Sequence, residues 1–126
     1  MEELYRASEY VFYSQVSLVD SEDDDAWPEI ASERPVYSGP KGIVVPAASD
    51  SDVERAVLQG DGDPGGVLLF DGEMCVGAEG LEVGSPPLDM RKIAWPPGRT
   101  RVRLYVDGLS EMPHRITFVL RHLKDD

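Results

Sequence analysis

Arg99-Thr100-Arg101-Val102-Arg103-Leu104-Tyr105-Val106 alternates without a break, with Val102, Leu104 and Val106 on one side and three arginines on the other. Successive side chains of a strand point to opposite faces, so the stretch reads as a β-strand with one face in a core and the other in solvent. Asp107-Gly108 starts the connection that follows, and Arg115 to Leu123 resumes the alternation with Ile116, Phe118 and Leu120 on one face. These two segments are expected to fold back on each other antiparallel.

Upstream the same period recurs. Val67 to Phe70 and Glu73 to Val76 flank Asp71-Gly72, a pair that suits the positive φ of a type I′ turn and predicts a hairpin. Leu81 to Val83 adds a short strand, and Lys41 to Pro46 another that ends at the proline, which cannot donate to a ladder. Tyr10 to Leu18 reads as one strand, with Tyr10, Phe12, Ser14, Val16 and Leu18 on a single face. Ser49 to Gln59 is ambiguous: Val53, Ala56 and Val57 fit a short helix capped by Asp50 or Ser51, and Val53, Arg55 and Val57 fit a strand. Gly60 to Gly66, with four glycines and Pro64, is a tight connection. No long amphipathic helix is present. The fold class is therefore all-β: an antiparallel β-sandwich or flattened barrel of about seven to nine short strands, with room for one short helix.

At 126 residues the chain fits one acidic β-sandwich domain over residues 1–126. The start lacks the order of a secretory signal, no apolar run approaches membrane-spanning length, and Cys75 is alone, so a reducing, cytoplasmic setting is expected. Cys75 itself, between Met74 and Val76, reads as a small buried hydrophobe.

The charge is uneven. Residues 1–63 carry fifteen acids against four bases, and residues 64–126 nine against eight, so −11 of the formal −12 lies in the first half. Its densest part, Asp20-Ser21-Glu22-Asp23-Asp24-Asp25-Ala26-Trp27-Pro28-Glu29, sets a tryptophan in a run of carboxylates. Such a field repels nucleic acid and anionic lipid and attracts basic proteins, although an acidic surface also serves solubility alone. An EF-hand is excluded, because counting from Asp20 the glycine position is Asp25 and the closing glutamate position is Ala31. His114, His122 and Cys75 lack zinc spacing, and neither a nucleophile elbow nor a phosphate loop occurs. No metal, cofactor or catalytic residue is expected.

Two stretches resemble a known group. Tyr13-Ser14-Gln15, with the apolar alternation and the acidic, Trp-containing turn after it, resembles the start of small bacterial β-sandwich proteins related to the competence-associated nuclease inhibitor family. Pro96-Pro97-Gly98-Arg99-Thr100-Arg101-Val102-Arg103, with Asp107-Gly108-Leu109 and a closing aromatic strand, resembles the last hairpin of acidic actinobacterial proteins of similar size. The resemblance implies a sandwich that blocks a basic enzyme or serves as an immunity protein against a toxin, and it implies no catalytic residues.

The expected function is non-enzymatic binding of a basic protein, a nuclease or toxin, through Asp20, Glu22, Asp23, Asp24, Asp25 and Trp27. The carboxylates imitate phosphate charge and steer approach, while Trp27, with Tyr13 or Tyr37 near it in sequence, supplies an aromatic anchor; alternatively Trp27 caps one end of the sandwich. Tyr5, Tyr10 and Phe12 read as core. Two rivals remain. One is an assembly subunit that forms homo-oligomers through sheet edges and through Arg101 and Arg103 of one copy meeting the acidic run of another. The other is a small-ligand or sugar-binding sandwich with Trp27 and Trp95 as stacking platforms.

Overall fold

The computed structural model describes residues 1–11, 15–21, 36–48, 51–85, 90–109 and 112–123. They form ten strands: β1 Glu2–Val11, β2 Gln15–Asp20, β3 Tyr37–Gly39, β4 Gly42–Pro46, β5 Ser51–Gln59, β6 Val67–Val76, β7 Leu81–Gly84, β8 Arg91–Ile93, β9 Gly98–Val106 and β10 Arg115–His122. The first sheet has the order β1-β5-β10-β9-β6 and the second β3-β4-β2-β7-β8. The two sheets enclose one apolar cluster, to which the first contributes Val53, Val57, Val102, Leu104, Ile116, Phe118 and Leu120, and the second Val16, Leu18, Ile43, Val45, Leu81 and Val83. Full burial of each such side chain stabilises by about 1.5–3 kcal/mol. The expected sandwich is thus present, with no helix among the described residues, and the ambiguous segment is strand β5 from Ser51 to Gln59, Ser49 and Asp50 lying outside the described residues. One pairing departs from the antiparallel expectation. The β9–β10 hairpin lies between β5 and β6, and β10 meets β5 in parallel, Arg115 opposite Glu54 through Leu120 opposite Gln59.

The segment read as one strand from Tyr10 to Leu18 is two strands in different sheets, β1 paired with β5 and β2 paired with β4 and β7. Val11, Val16 and Leu18 are fully buried while Tyr10 is exposed, so the buried parity changes between the two strands. A strand crossing from one layer to the other cannot keep one face inward throughout. Phe12 to Ser14 lie outside the described residues.

The hairpin expected at Asp71-Gly72 does not form: β6 runs straight through it and stays paired with β9 from Val67 to Val76. A Cβ on Gly72 would lie 2.5 Å from Phe70 Cζ, so the Phe70 ring occupies the space of the missing side chain. An aromatic ring covering a glycine supports a strand where a turn had been expected. The same parity corrects Cys75, which is exposed, because Met74 and Val76 take the inward positions.

Residues 60–66 join β5 to β6, two strands separated by β10 and β9, and therefore have to cross the sheet. They cross its outer face. Arg103, which alternates with the buried Val102 and Leu104, donates from Nη2 to the carbonyls of Gly60 (3.4 Å) and Gly62 (2.9 Å) and from Nη1 to Tyr105 Oη (3.0 Å). Leu58, Val119 and Tyr105 are buried on this side, so the arginine-bearing face of β9 is solvent-facing only near its Arg99 end. Gly66 has φ +88°, and a Cβ there would come within 2.5 Å of the Val106 carbonyl oxygen.

Candidate functional site

Asp20, the last residue of β2, and Ser21 are the first two residues of the acidic run. Asp20 is buried, and its Oδ1 accepts from the Gly77 N–H at 3.2 Å while its own N–H donates to the Lys41 carbonyl at 2.9 Å. The Ser21 N–H donates to the Gly80 carbonyl at 3.0 Å, and Ser21 Oγ donates to Glu82 Oε1 at 2.9 Å. Residues 77–80 form the turn from β6 to β7, closed by the Gly80 N–H to the Gly77 carbonyl at 3.3 Å. Gly80 takes φ +81°, and a Cβ on it would meet the Ile93 carbonyl oxygen at 2.6 Å. The root is therefore held by both sheets at once, through the β3–β4 turn on one side and the β6–β7 turn on the other.

Glu22, Asp23, Asp24, Asp25 and Trp27 lie outside the described residues, as does Tyr13. Asp20 is the one member of the expected set whose surroundings are described, and its carboxylate faces the protein and holds a turn. Tyr37 is buried at the start of β3. Glu79, exposed on the 77–80 turn, adds a carboxylate beside the root that the linear run did not include. The signal for it was the Gly77-Ala78-Glu79-Gly80 spacing after a strand.

The arginine stripe is engaged within the chain. Arg101 forms a two-bond fork on Asp71, Nε to Oδ1 at 3.0 Å and Nη2 to Oδ2 at 2.7 Å. Arg99 Nη1 reaches Glu73 Oε1 at 3.4 Å, Arg121 Nη1 reaches Asp61 Oδ1 at 3.3 Å, and Arg115 Nε reaches Glu54 Oε2 at 3.6 Å. The register sets Arg101 directly opposite Arg121, so these carboxylates also offset a like-charge pair. The Arg101 hydrogen bonds hold Asp71 below its ordinary value of 3.8. A depressed folded value gives stability that is present above the unfolded pKa and lost as pH falls through the folded one. Asp71→Asn is therefore expected to remove a small part of the acid sensitivity below about pH 4 and to leave neutral-pH stability little changed, read from urea midpoints across that range; the effect is small because the pair is exposed.

Trp95 is buried, donates from Nε1 to Thr100 Oγ1 at 2.8 Å and meets the His122 ring edge-on at 6.5 Å between centroids. It closes the core at this end and offers no stacking platform. Among the described residues no group of three or more His, Cys, Asp or Glu is placed to hold a metal ion.

Neither a family model nor a curated protein matches the chain. A solved structure does: ComJ, described as an inhibitor of the DNA degrading activity of NucA, from Bacillus subtilis, superposes with a TM-score of 0.62 over 95% of this chain and 95% of its own, at 11% sequence identity. The resemblance expected from the sequence fits this neighbour, and at that identity what the chain shares with ComJ is its fold.

Proposed function

We propose that the protein is a non-enzymatic binding protein that docks its acidic N-terminal segment on a basic protein surface, the cleft of a nuclease or toxin, as an inhibitor or immunity protein. The observation that carries this reading is the rooted charge. Most of the net −12 sits in the first half, and its densest run begins with Asp20 and Ser21, which are held by hydrogen bonds to the β3–β4 and β6–β7 turns and to β7. Attachment to a fixed root lowers the ordering cost of a binding segment. The shared fold with a nuclease inhibitor supports the same reading. In it Asp20 positions the segment, Asp23, Asp24 and Asp25 steer approach, and Trp27 anchors contact. Assembly through the arginine stripe has less support, since Arg99, Arg101, Arg115 and Arg121 already face carboxylates of their own chain.

The test is retention of a basic nuclease or toxin from the source cell's lysate at low salt and its release at high salt, followed by rate measurements on the purified pair. Asp23→Asn, Asp24→Asn and Asp25→Asn together should slow association and flatten its salt dependence with little change in dissociation. Trp27→Ala should speed dissociation by the equivalent of about 2 kcal/mol. Unchanged association and salt dependence in the triple variant would refute the reading.

A further inference from the structure

The chain has no asparagine and three Asp-Gly pairs, Asp61-Gly62, Asp71-Gly72 and Asp107-Gly108. An aspartyl side chain cyclises onto the backbone most readily when glycine follows, because glycine leaves its nitrogen uncovered and lets the peptide rotate. Ring closure needs a carboxyl free to turn and a backbone free to rotate about the Asp Cα–C bond. The three pairs differ in both respects. Asp71-Gly72 lies inside β6, which is paired with β9 from Val67 to Val76, and the Arg101 fork holds both Asp71 oxygens, at 3.0 and 2.7 Å. Asp107 Oδ1 accepts from the His114 and Arg115 N–H groups at 3.2 and 3.4 Å, which ties its carboxylate across the β9–β10 connection. Asp61 has a 3.3 Å contact with Arg121 Nη1, between side chains 71% and 54% exposed, and pairs so exposed hold weakly. Arg103 Nη2 holds the Gly60 and Gly62 carbonyls, which belong to the peptide units on either side. Among the described residues no hydrogen bond holds the Asp61 carbonyl or the Gly62 N–H between them.

We infer that Asp61-Gly62 is a site of spontaneous covalent modification, at which aspartate converts to isoaspartate in the folded protein. The Gly62 nitrogen attacks Asp61 Cγ: an N–Cγ bond forms, the carboxyl hydroxyl leaves with the amide proton as water, and a cyclic succinimide results. Water then adds at the Asp61 α-carbonyl and breaks its bond to the Gly62 nitrogen, so that the chain continues through Cβ and Cγ. Addition at Cγ instead restores aspartate. One water leaves and one returns, and no oxidant, reductant or cofactor takes part. The oxygen departs from the protonated carboxyl, so the Arg101 fork, which keeps Asp71 ionised, opposes the reaction there as well as fixing the side chain. Isomerisation alters the crossing of the first sheet. An extra backbone carbon ahead of Gly62 moves its carbonyl from its 2.9 Å position on Arg103 Nη2, and the free carboxylate, now carried on Cα, draws back from Arg121. Residues 60–66 are then held less firmly on the outer face. The inference stands apart from the basic-partner reading, since the site lies on the first sheet and needs no partner.

Incubation of the folded full chain at neutral pH, warm but below its melting transition, tests it, with peptide mapping that separates isoaspartyl from aspartyl forms. Isoaspartate is expected first at residue 61. At residues 71 and 107 it should form about tenfold more slowly or less, the factor that corresponds to about 1.4 kcal/mol of extra local opening. In the urea-unfolded chain the three rates should converge, because each aspartate is followed by glycine. Gly62→Ala should slow the reaction at residue 61 by covering the nitrogen. Its Cβ would meet the exposed Met1 side chain, nearest at Cε (3.1 Å), which can give way, so an unchanged melting temperature certifies the fold. Amide hydrogen exchange over residues 60–66 should be faster in the isoaspartyl fraction than in the unmodified chain. The inference is overturned by isoaspartate appearing first at residue 71 or 107, by equal rates at the three sites in the folded chain, or by none at residue 61 over a time in which the unfolded chain has formed it. A Gly62→Ala variant that reacts as fast, or unchanged exchange over residues 60–66, overturns it too.

Discussion

Arg55→Ala is expected to destabilise the protein by about 2–5 kcal/mol, as the truncation of a large, fully buried side chain does. Arg55 is fully buried on the inner side of β5 between Val53 and Val57. Its Nη2 donates to the carbonyls of Glu9 (3.0 Å) and Val53 (3.3 Å), which ties edge strand β1 to β5. Its Nη1 stands 3.9 Å from Glu9 Oε2, and neither of those two atoms has a hydrogen-bond partner. The guanidinium is thus well placed for the backbone and only partly matched by its counter-charge. Alanine leaves the Glu9 carboxylate without a counter-charge, frees its carbonyl and opens a cavity. Arg55→Met together with Glu9→Gln removes both charges while keeping most of the volume, and should recover much of the loss. Urea unfolding of the single and double variants gives the coupling directly. A cost below about 1 kcal/mol for Arg55→Ala would mean that backbone pairing alone holds β1 in place.

Gly80→Val is expected to cost about 2–4 kcal/mol, combining a left-handed conformation that β-branched residues avoid with a Cβ driven against the Ile93 carbonyl. The turn has to shift, and the Gly80 carbonyl that receives the Ser21 N–H shifts with it. Stability and docking should fall together here. Ser21→Ala, which removes only the hydroxyl bond to Glu82, should cost about 1 kcal/mol and leave the turn in place. Thermal melts compare the stabilities, and association rates with the captured partner show whether the root orients the acidic segment.

Elements whose alternation is backed by one uniform face were legible from the chain alone. β9 and β10 pair as their Val102-Leu104-Val106 and Ile116-Phe118-Leu120 patterns imply, and β4 stops at Pro46. Local turn chemistry misled at Asp71-Gly72, because the competing contacts, the Phe70 ring and the Arg101 guanidinium, come from the strand's own neighbour and from β9. The change of sheet after β1 was hidden because Tyr10 and Val11 are both apolar, so composition does not say which faces inward. The parallel β5–β10 pairing lies beyond any local pattern. In the candidate site, the acidic run stood out by composition, but the burial of Asp20 depends on Gly77, a residue 57 positions away.

That parallel pairing also orders events in time. β5 and β10 carry residues about sixty positions apart, and β10 comes after every other described strand. Until β10 is in place, β1–β5 and β6–β9 are two separate ribbons with nothing between them, each presenting an unsatisfied inner edge. Pairings of such large sequence separation form late because loop closure comes before any compensating contact. A growing chain therefore passes through a stage in which β5, with Val53, Val57 and the Arg55 guanidinium, is open along one side. The first sheet becomes continuous in a single late step, so a nascent chain lacking β10 should be a far better target for chaperones and proteases than the finished one.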